Sequence, residues 1–215
     1  MMNTFTPQLS AADVMRDAPV IPVIVLHEVG HAVPLARALI AGGIRMLEVT
    51  LRTPQALGCI EAIAREVPDA VVGAGTVRSA ADAIAAKDAG ARFAVSPGFT
   101  PALGRQCRDL DLPLLPGVAT ASEIMLAQEE GFKALKFFPA AQAGGLAMLK
   151  AWQGPFGDVI FCPTGGIHAG NAQEFLAQPN VACVGGSWLV PGDALARGDW
   201  DAITSLARAA RALKQ

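Results

Sequence analysis

The sequence predicts an α/β protein in which eight parallel strands, each followed by a helix, close into a (β/α)8 barrel, also called a TIM barrel. Short runs rich in Val, Ile, Leu and Phe recur eight times, and segments of helical character lie between them. The strand–helix units repeat at intervals of about 20 to 27 residues, which is typical of a parallel sheet. An open, doubly wound sheet is the alternative architecture.

Each element can be assigned to a segment of the chain. The predicted strands are residues 20–26, 46–51, 70–76, 93–97, 112–118, 134–139, 159–164 and 181–188. The predicted helices include residues 32–41, 54–67, 80–89, 120–130, 145–152, 171–176 and 200–213, with a short helix at 9–16 before the first strand. No linker or low-complexity segment divides the chain, so we expect a single domain, 1–215.

Composition excludes several classes of function. Hydrophobic residues make up 52% of the chain and charged residues 17%, so much of the chain must be buried on more than one side. A formal net charge of −2 gives no electrostatic case for binding nucleic acid or an anionic membrane. The sequence has no run of about 18 apolar residues that could span a bilayer, and its polar N-terminus lacks a signal-peptide core. We therefore expect a cytoplasmic protein with four reduced cysteines.

The segment HEVGH, from His27 to His31, has the spacing of a zinc-protease helix. Such a site needs both histidines on one helical face. His27 directly follows the strand-like IPVIVL, and Pro34 inside a helix running through His27 would cost about 3 kcal/mol. A helix that begins near Gly30 has Pro34 in its first turn and leaves His27 outside. We therefore expect no metal site here.

The second strand, MLEVTLRT, alternates between aliphatic residues on one face and Glu48, Thr50 and Arg52 on the other. If the aliphatic face packs on the helices, Glu48 and Arg52 point into the barrel. They lie toward the strand end, where barrel enzymes carry their active sites. Because desolvating a carboxylate and a guanidinium is costly, we predict a functional role for both, with a buried ion pair as the alternative.

The sixth strand, ALKFFPA, carries Lys136, whereas the other four lysines of the sequence lie in helical or loop segments. By alternation Lys136 shares a face with Phe138. A buried ammonium group loses hydration, which lowers its pKa and makes the neutral amine available as a nucleophile. A structural lysine paired with Glu48 is the alternative.

The seventh and eighth strands end in glycine pairs, in CPTGGI and VGGSWL. In (β/α)8 barrels the loops after these strands often bind phosphate through backbone N–H groups. Glycine lets the backbone approach an anion closely, and Ser187 adds a hydroxyl. We therefore predict a phosphate site here. At the end of the third strand, Thr76 of GAGT is positioned to bind a substrate oxygen.

An interior lysine, an interior glutamate, an arginine and a phosphate site together indicate a Schiff-base lyase acting on a phosphorylated keto compound. The sequence resembles the bacterial 2-keto-3-deoxy-6-phosphogluconate (KDPG) aldolases, also called KDPG/4-hydroxy-2-oxoglutarate aldolases. The matching stretches are VIPVIV, LEVTLRT, VGAGTV, SPG, LKFFPA, FCPTGGI and GGSWLVP, in order from residue 20 to 191. The resemblance implies a metal-independent, cofactor-free class I aldolase that is typically a homotrimer.

The resemblance also implies roles for individual residues. Lys136 in LKFFP corresponds to the Schiff-base lysine and Glu48 in LEVTLRT to the general acid/base, while Arg52 and Thr76 hold the pyruvate carboxylate. The remaining predicted substrate-binding residues are Pro97, Phe138, Thr164, Gly165, Gly166, Gly186 and Ser187. The segment around Glu28 departs from the family pattern.

The implied reaction is cleavage of KDPG to pyruvate and glyceraldehyde 3-phosphate, together with cleavage of 4-hydroxy-2-oxoglutarate to pyruvate and glyoxylate. Three alternatives stay open: an aldolase for the C4 epimer 2-keto-3-deoxy-6-phosphogalactonate, a phosphosugar isomerase with Glu48 as base, and a non-catalytic barrel that binds a phosphorylated metabolite. Lys136 favours an aldolase over the last two, since neither needs a lysine in an apolar strand.

Overall fold

The computed structural model describes residues 9–213 of the chain. Its strands are β1 (Val20–Ile24), β2 (Met46–Thr50), β3 (Val71–Gly75), β4 (Ala94–Val95), β5 (Leu114–Leu115), β6 (Gly117–Val118), β7 (Ala134–Phe137), β8 (Ile160–Pro163) and β9 (Val184–Gly186). Its helices are α1 (Ala11–Arg16), α2 (Ala32–Ala41), α3 (Ala56–Glu66), α4 (Ala80–Asp88), α5 (Pro101–Asp109), α6 (Ala121–Glu129), α7 (Gly145–Trp152), α8 (Ala172–Leu176), α9 (Gly192–Arg197) and α10 (Trp200–Arg211). Within this part of the chain, no helix is long and apolar enough to cross a membrane.

The strands form a closed ring. One parallel sheet has the order β5-β4-β3-β2-β1-β9, and a second has the order β6-β7-β8. Bridges between Phe161 and Val181 and between Thr164 and Gly185 join β8 to β9. Because β5 and β6 are two parts of the fifth predicted strand, the ring closes on that side as well. The predicted (β/α)8 barrel is confirmed, and the open sheet is not formed.

The fifth strand is interrupted at Pro116, where the sequence had predicted one continuous run. Proline has no N–H to donate to the ladder, although the Pro116 carbonyl still accepts from the N–H of Lys136 at 2.8 Å. The next residue, Gly117, packs so closely against the backbone of Pro97 that a side chain there would collide with it. The fourth and fifth strands therefore approach each other through a glycine.

Several helices begin where the sequence supplies a hydroxyl cap. Ser79, Thr100 and Thr120 each accept a hydrogen bond from the backbone N–H three residues later, at the starts of α4, α5 and α6. Neither α5 nor α9 was among the helices named from the sequence. The start signal of α5 is present, with Pro101 directly after its cap, but its sequence PALGRQCRD has few apolar residues.

Side chains fill the barrel interior in two rows. The lower row, toward the strand starts, is apolar and is closed from below by Val14 and Met15 of α1. Its members are Ile21, Met46, Val71, Phe93, Val95, Leu115, Ala134, Cys162 and Cys183. The upper row consists of three buried polar residues that each follow a lower-row residue by two positions: Glu48 on β2, Lys136 on β7 and Thr164 directly after β8.

The opposite faces of the strands pack against the helices. Leu47 and Val49 of β2 are fully buried in this outer cluster, and Leu51 packs against it. This arrangement confirms the alternation predicted for β2, which turns Glu48 into the barrel.

Candidate active site

A lysine and a glutamate meet in the barrel interior. Lys136 lies on β7 and Glu48 on β2, 88 residues apart in the chain. Lys136 Nζ donates a hydrogen bond to Glu48 Oε1 at 3.2 Å. Their side chains are only 6% and 4% exposed. The structure thus brings together the two charged residues that alternation predicted to lie inside the barrel.

Gly75, at the end of β3, makes room for the Glu48 carboxylate. A Cβ at position 75 would collide with Glu48 Oε1 and would lie 2.7 Å from its Cγ. Any side chain at this position therefore displaces the carboxylate. No role was predicted for Gly75 from the sequence, although a signal was present: GAGT places a glycine at the end of the strand that neighbours the one carrying Glu48.

Phe138 and Pro97 lie near the lysine. Lys136 Nζ is 5.3 Å from the centroid of the Phe138 ring, within the range of a cation–π contact. Pro97 packs against Gly117, and Gly117 is the register partner of Lys136 on the neighbouring strand. Both residues follow the ends of their strands and are half-buried, so they lie at the same end of the barrel as Lys136.

Arg52 and Thr76 are joined at the barrel mouth, where Arg52 Nε donates to Thr76 Oγ1 at 3.3 Å. Because β2 ends at Thr50, Arg52 lies beyond the strand and is exposed, which corrects the prediction that it points into the interior. Among residues 9–213 Glu48 forms its ion pair with Lys136 and not with Arg52, so the alternative pair does not form. Thr76 has a φ of 60°, a conformation that β-branched residues rarely adopt.

The ends of β8 and β9 lie side by side. The bridge between Thr164 and Gly185 joins them, and a side chain at Gly185 would collide with the Thr164 hydroxyl. Gly165 and Gly166 follow with φ of 99° and 75°, which residues with a side chain adopt only under strain. The two glycine-rich turns are therefore adjacent, as the predicted phosphate site requires.

Further contacts hold these turns in place. Trp188 packs against Gly186, where any Cβ would collide with the indole ring, and Ser187 between them is exposed. Asn171 Nδ2 donates to the carbonyl of Gly166 at 3.0 Å. Asn171 was not among the residues singled out from the sequence, because a lone asparagine before a short helix carries no distinctive pattern.

Cys162 and Cys183 lie in the lower row, beneath the Lys136–Glu48 pair. Burial, then the neighbouring Cys162 and the charge of Glu48, raise the pKa of the Cys183 thiol well above its ordinary value. Since the thiolate is the nucleophilic form of cysteine, Cys183 remains an inert thiol near neutral pH. Cys183 therefore does not compete with Lys136 as the nucleophile.

The HEVGH segment does not form one helix. His27 lies in the loop after β1, a 3-10 turn spans Val29–His31, and α2 begins at Ala32 with Pro34 in its first turn. The two histidines therefore do not share a helical face, as predicted. Within the described residues, no group of three or more His, Cys, Asp or Glu side chains is arranged to hold a metal ion.

Cavities open at both ends of the barrel. The larger, of about 570 Å³, lies at the strand starts between α1 and α5 and contains none of the predicted site residues. A cavity of about 410 Å³ lies at the strand ends and is lined in part by Ser187, His27 and His31. Of these two cavities, only the one at the strand ends adjoins the predicted substrate residues.

Comparison with known proteins places these features in a family. The family model described as "KDPG and KHG aldolase" matches residues 11–206. This chain belongs to the KDPG/KHG aldolase family. The resemblance seen in the sequence motifs is thereby confirmed, and every predicted site residue lies inside the matched region.

Relatives within the KDPG/KHG aldolases are similar over nearly their whole length. The KHG/KDPG aldolase of Escherichia coli (strain K12) is 53% identical over 201 residues, which cover 94% of each chain. The 2-dehydro-3-deoxy-phosphogluconate aldolase of Zymomonas mobilis is 50% identical over 202 residues, covering 94% of this chain and 95% of that one. A crystal structure of the KDPG aldolase from Legionella pneumophila, with pyruvate captured at low pH as a covalent carbinolamine intermediate, has a TM-score of 0.93 and 49% identity, covering 96% of this chain and 100% of the other.

Proposed function

We propose that this protein is a class I aldolase that cleaves KDPG to pyruvate and glyceraldehyde 3-phosphate through a Schiff base on Lys136. The observation that carries the proposal is the buried contact between Lys136 Nζ and Glu48 Oε1 at 3.2 Å. Membership of the family and the likeness to an aldolase that holds pyruvate as a carbinolamine support it. A buried charged pair is costly in a scaffold, whereas an amine beside a carboxylate suits imine chemistry.

The reaction begins at the C2 ketone of the substrate. Glu48 accepts a proton from the Lys136 ammonium, and the neutral amine attacks C2 to form a carbinolamine. Glu48 then protonates the carbinolamine hydroxyl, which leaves as water. The product is an iminium that joins Lys136 Nζ to C2.

Carbon–carbon cleavage follows, because the iminium accepts electrons from the C3–C4 bond. Glu48 removes the proton of the C4 hydroxyl, C4 becomes the aldehyde carbon of glyceraldehyde 3-phosphate, and the electron pair of the broken bond forms an enamine between C2 and C3. Protonation at C3 regenerates the iminium. Attack by water at C2 then releases pyruvate and restores the free lysine.

Arg52 and Thr76 hold the substrate carboxylate in this proposal. The Arg52 guanidinium engages Thr76 through Nε and has further N–H groups for a charge-assisted contact with a carboxylate. The half-buried Pro97 and Phe138 flank the carbon chain next to Lys136. An electron-deficient iminium is therefore formed beside an apolar wall and at a fixed distance from the bound carboxylate.

The phosphate end of the substrate lies at the turns after β8 and β9. Thr164, Gly165 and Gly166 contribute one side, and Gly186 and Ser187 contribute the other. The bridge between Thr164 and Gly185 supports this assignment, because it brings the two turns within reach of one anion. Non-phosphorylated 2-keto-3-deoxygluconate is then a much poorer substrate, since each hydrogen bond to a charged group is worth roughly 1.5–3 kcal/mol.

Borohydride trapping with pyruvate tests the proposal. Reduction of the imine attaches a three-carbon adduct to the peptide containing Lys136, and Lys136→Arg abolishes both trapping and turnover, because arginine stays protonated. Lys133→Ala is the matched control, since Lys133 lies three residues away with a side chain 66% exposed and paired to Asp158. An adduct on Lys133 would contradict the assignment. Cleavage of KDPG without any adduct would contradict the Schiff base, and absence of both adduct and cleavage would favour the isomerase or the non-catalytic barrel.

Substrate range is tested with three compounds. We propose that KDPG is the preferred substrate and that 4-hydroxy-2-oxoglutarate is also cleaved, to pyruvate and glyoxylate, in line with the double name of the Escherichia coli relative. The measurement is kcat/KM for these two compounds and for 2-keto-3-deoxy-6-phosphogalactonate. A higher value for the last compound would assign the protein to the C4-epimeric series.

We also propose that the chain acts as one domain within a homotrimer in the cytoplasm, with a small phosphorylated keto acid as its partner. The oligomeric state is the one that the resemblance to the KDPG aldolases implies. Sedimentation equilibrium should give three times the mass of the chain, and a monomeric mass at micromolar concentration would contradict this part of the proposal.

A further inference from the structure

The proposed phosphate turns lack a lysine or an arginine. Residues 151–196, which include the ends of β8 and β9, contain neither residue type. A phosphate binds most strongly where a cationic group adds charge to the hydrogen bonds from backbone N–H groups. In this chain a side chain of that kind has to come from a histidine or from another part of the barrel mouth.

The cavity at the strand ends connects the turn after β9 to the loop after β1. Its lining includes Ser187 on one side and His27, Glu28 and His31 on the other, together with aliphatic side chains. Among the latter is Val23, the register partner of Glu48 across β1 and β2. The volume of about 410 Å³ is ample for the phosphate end of a six-carbon keto acid.

The three histidines of the chain differ in their existing contacts. His31 packs edge-on against Trp200, with ring centroids 5.9 Å apart, and its Nε2 lies 3.9 Å from Glu28 Oε2. His168 is outside the cavity lining, and its Nδ1 accepts a hydrogen bond from the backbone two residues later. His27 is exposed and forms no hydrogen bond or ion pair within residues 9–213. Its imidazole is therefore available to a ligand.

We infer that His27 is a specificity-determining residue that binds the substrate phosphate from the β1 side of this cavity, facing Ser187. An imidazole N–H donates to a phosphate oxygen in the neutral ring, and the protonated ring adds a positive charge. The inference rests on the proposed function, because the position of the phosphate follows from the assignment of Ser187. The neighbouring Glu28, which also lines the cavity, opposes the anion.

A charge series at position 27 tests the inference. The measured quantity is kcat/KM for KDPG divided by kcat/KM for non-phosphorylated 2-keto-3-deoxygluconate. His27→Ala lowers this ratio about 10-fold or more, the usual worth of one hydrogen bond to a charged group. His27→Lys restores the ratio to at least the original value, and His27→Glu lowers it below that of the alanine variant. Glu28→Gln raises it.

Two controls separate the possible failures. Lys150→Glu makes a charge change of similar size in the last turn of α7, at the far end of the barrel, and leaves the ratio within about twofold because exposed charges beyond a Debye length are screened. A ratio that is the same in all position-27 variants overturns the inference, as does a fall in Lys150→Glu equal to that in His27→Glu. Pyruvate trapping on Lys136 distinguishes these results from failure of the proposed function. If the unaltered protein gives no trapped adduct, the proposed function itself has failed.

Discussion

The lower and upper rows of the barrel interior are built on the same strands, two residues apart, and yet have opposite chemistry. Met46 lies in the lower row and Glu48 in the upper, and Ala134 and Lys136 are related in the same way. The lower row is apolar and closed by α1, whereas the upper row is charged and lies beside the barrel mouth. A two-residue step along a strand thus separates the part of the interior that stabilises the fold from the part that carries the chemistry.

This difference has an energetic reason. Burying a large apolar side chain of the lower row contributes about 1.5–3 kcal/mol to stability. Burying a charge costs free energy unless a partner and hydrogen bonds offset it, which the contact of 3.2 Å between Lys136 and Glu48 does in part. The upper row is therefore expected to destabilise the fold slightly, and the lower row to compensate for it.

The largest effect is expected when the charged pair is replaced. The double variant Lys136→Met, Glu48→Gln should lose trapping and turnover entirely. Its free energy of unfolding should be at least that of the unaltered protein and up to about 4 kcal/mol higher, because a buried ion pair is removed. The single variant Lys136→Met should instead be destabilised, since it leaves Glu48 without its partner. Urea unfolding measures both. A double variant less stable than Lys136→Met alone would break the comparison.

A smaller effect is expected from Glu48→Gln. Turnover should fall by roughly 10²–10⁴-fold, the usual contribution of a positioned acid/base group. The amine of Lys136 remains, so slow trapping by pyruvate and borohydride should persist. Single-turnover kinetics measure the loss of cleavage, and a trapping time course measures the loss of imine formation. If trapping is lost as completely in this variant as in Lys136→Arg, Glu48 is needed for imine formation itself.

Two glycines of β3 offer a matched pair, because Gly75 contacts Glu48 of the upper row and Gly73 contacts Phe93 of the lower row. Gly75→Ala should lower kcat by about 10²-fold, the cost of a displacement near 1 Å, because its Cβ collides with the Glu48 carboxylate. Gly73→Ala should instead lower the free energy of unfolding by about 1–3 kcal/mol with kcat nearly unchanged, because its Cβ lies 2.5 Å from the Phe93 ring in the lower row. Steady-state kinetics and urea unfolding of both variants are the measurements. The opposite pattern would reverse the assignment of rows.

The smallest effect is expected from chelation. The iminium on Lys136 supplies the electron sink, so prolonged dialysis against EDTA should leave kcat within experimental error. Activity that falls on dialysis and returns with Zn²⁺ would contradict the assignment of the chemistry to the upper row.

Period-two alternation was sufficient to predict that Glu48 and Lys136 lie inside the barrel, because side chains on a strand alternate strictly between its two faces. Alternation does not apply beyond the end of a strand, which is why the exposed position of Arg52 was predicted wrongly. The contact between Glu48 and Lys136 depends on how a closed ring orders β2 and β7, and periodicity contains no such information. The need for Gly75 is a matter of space between neighbouring strands, and it becomes visible only once the carboxylate has a position.

The floor formed by α1 and the lower row has a consequence for the order of events in the proposed reaction. In the proposed reaction the three carbons of pyruvate stay covalently bound to the buried Lys136, whereas the aldehyde fragment is freed when the C3–C4 bond breaks. Glyceraldehyde 3-phosphate therefore departs first and pyruvate last. In the direction of synthesis the order is reversed: pyruvate binds first and is converted to the enamine on Lys136, and the aldehyde binds afterwards. The buried end of the site therefore selects the nucleophile, and the exposed end selects the electrophile.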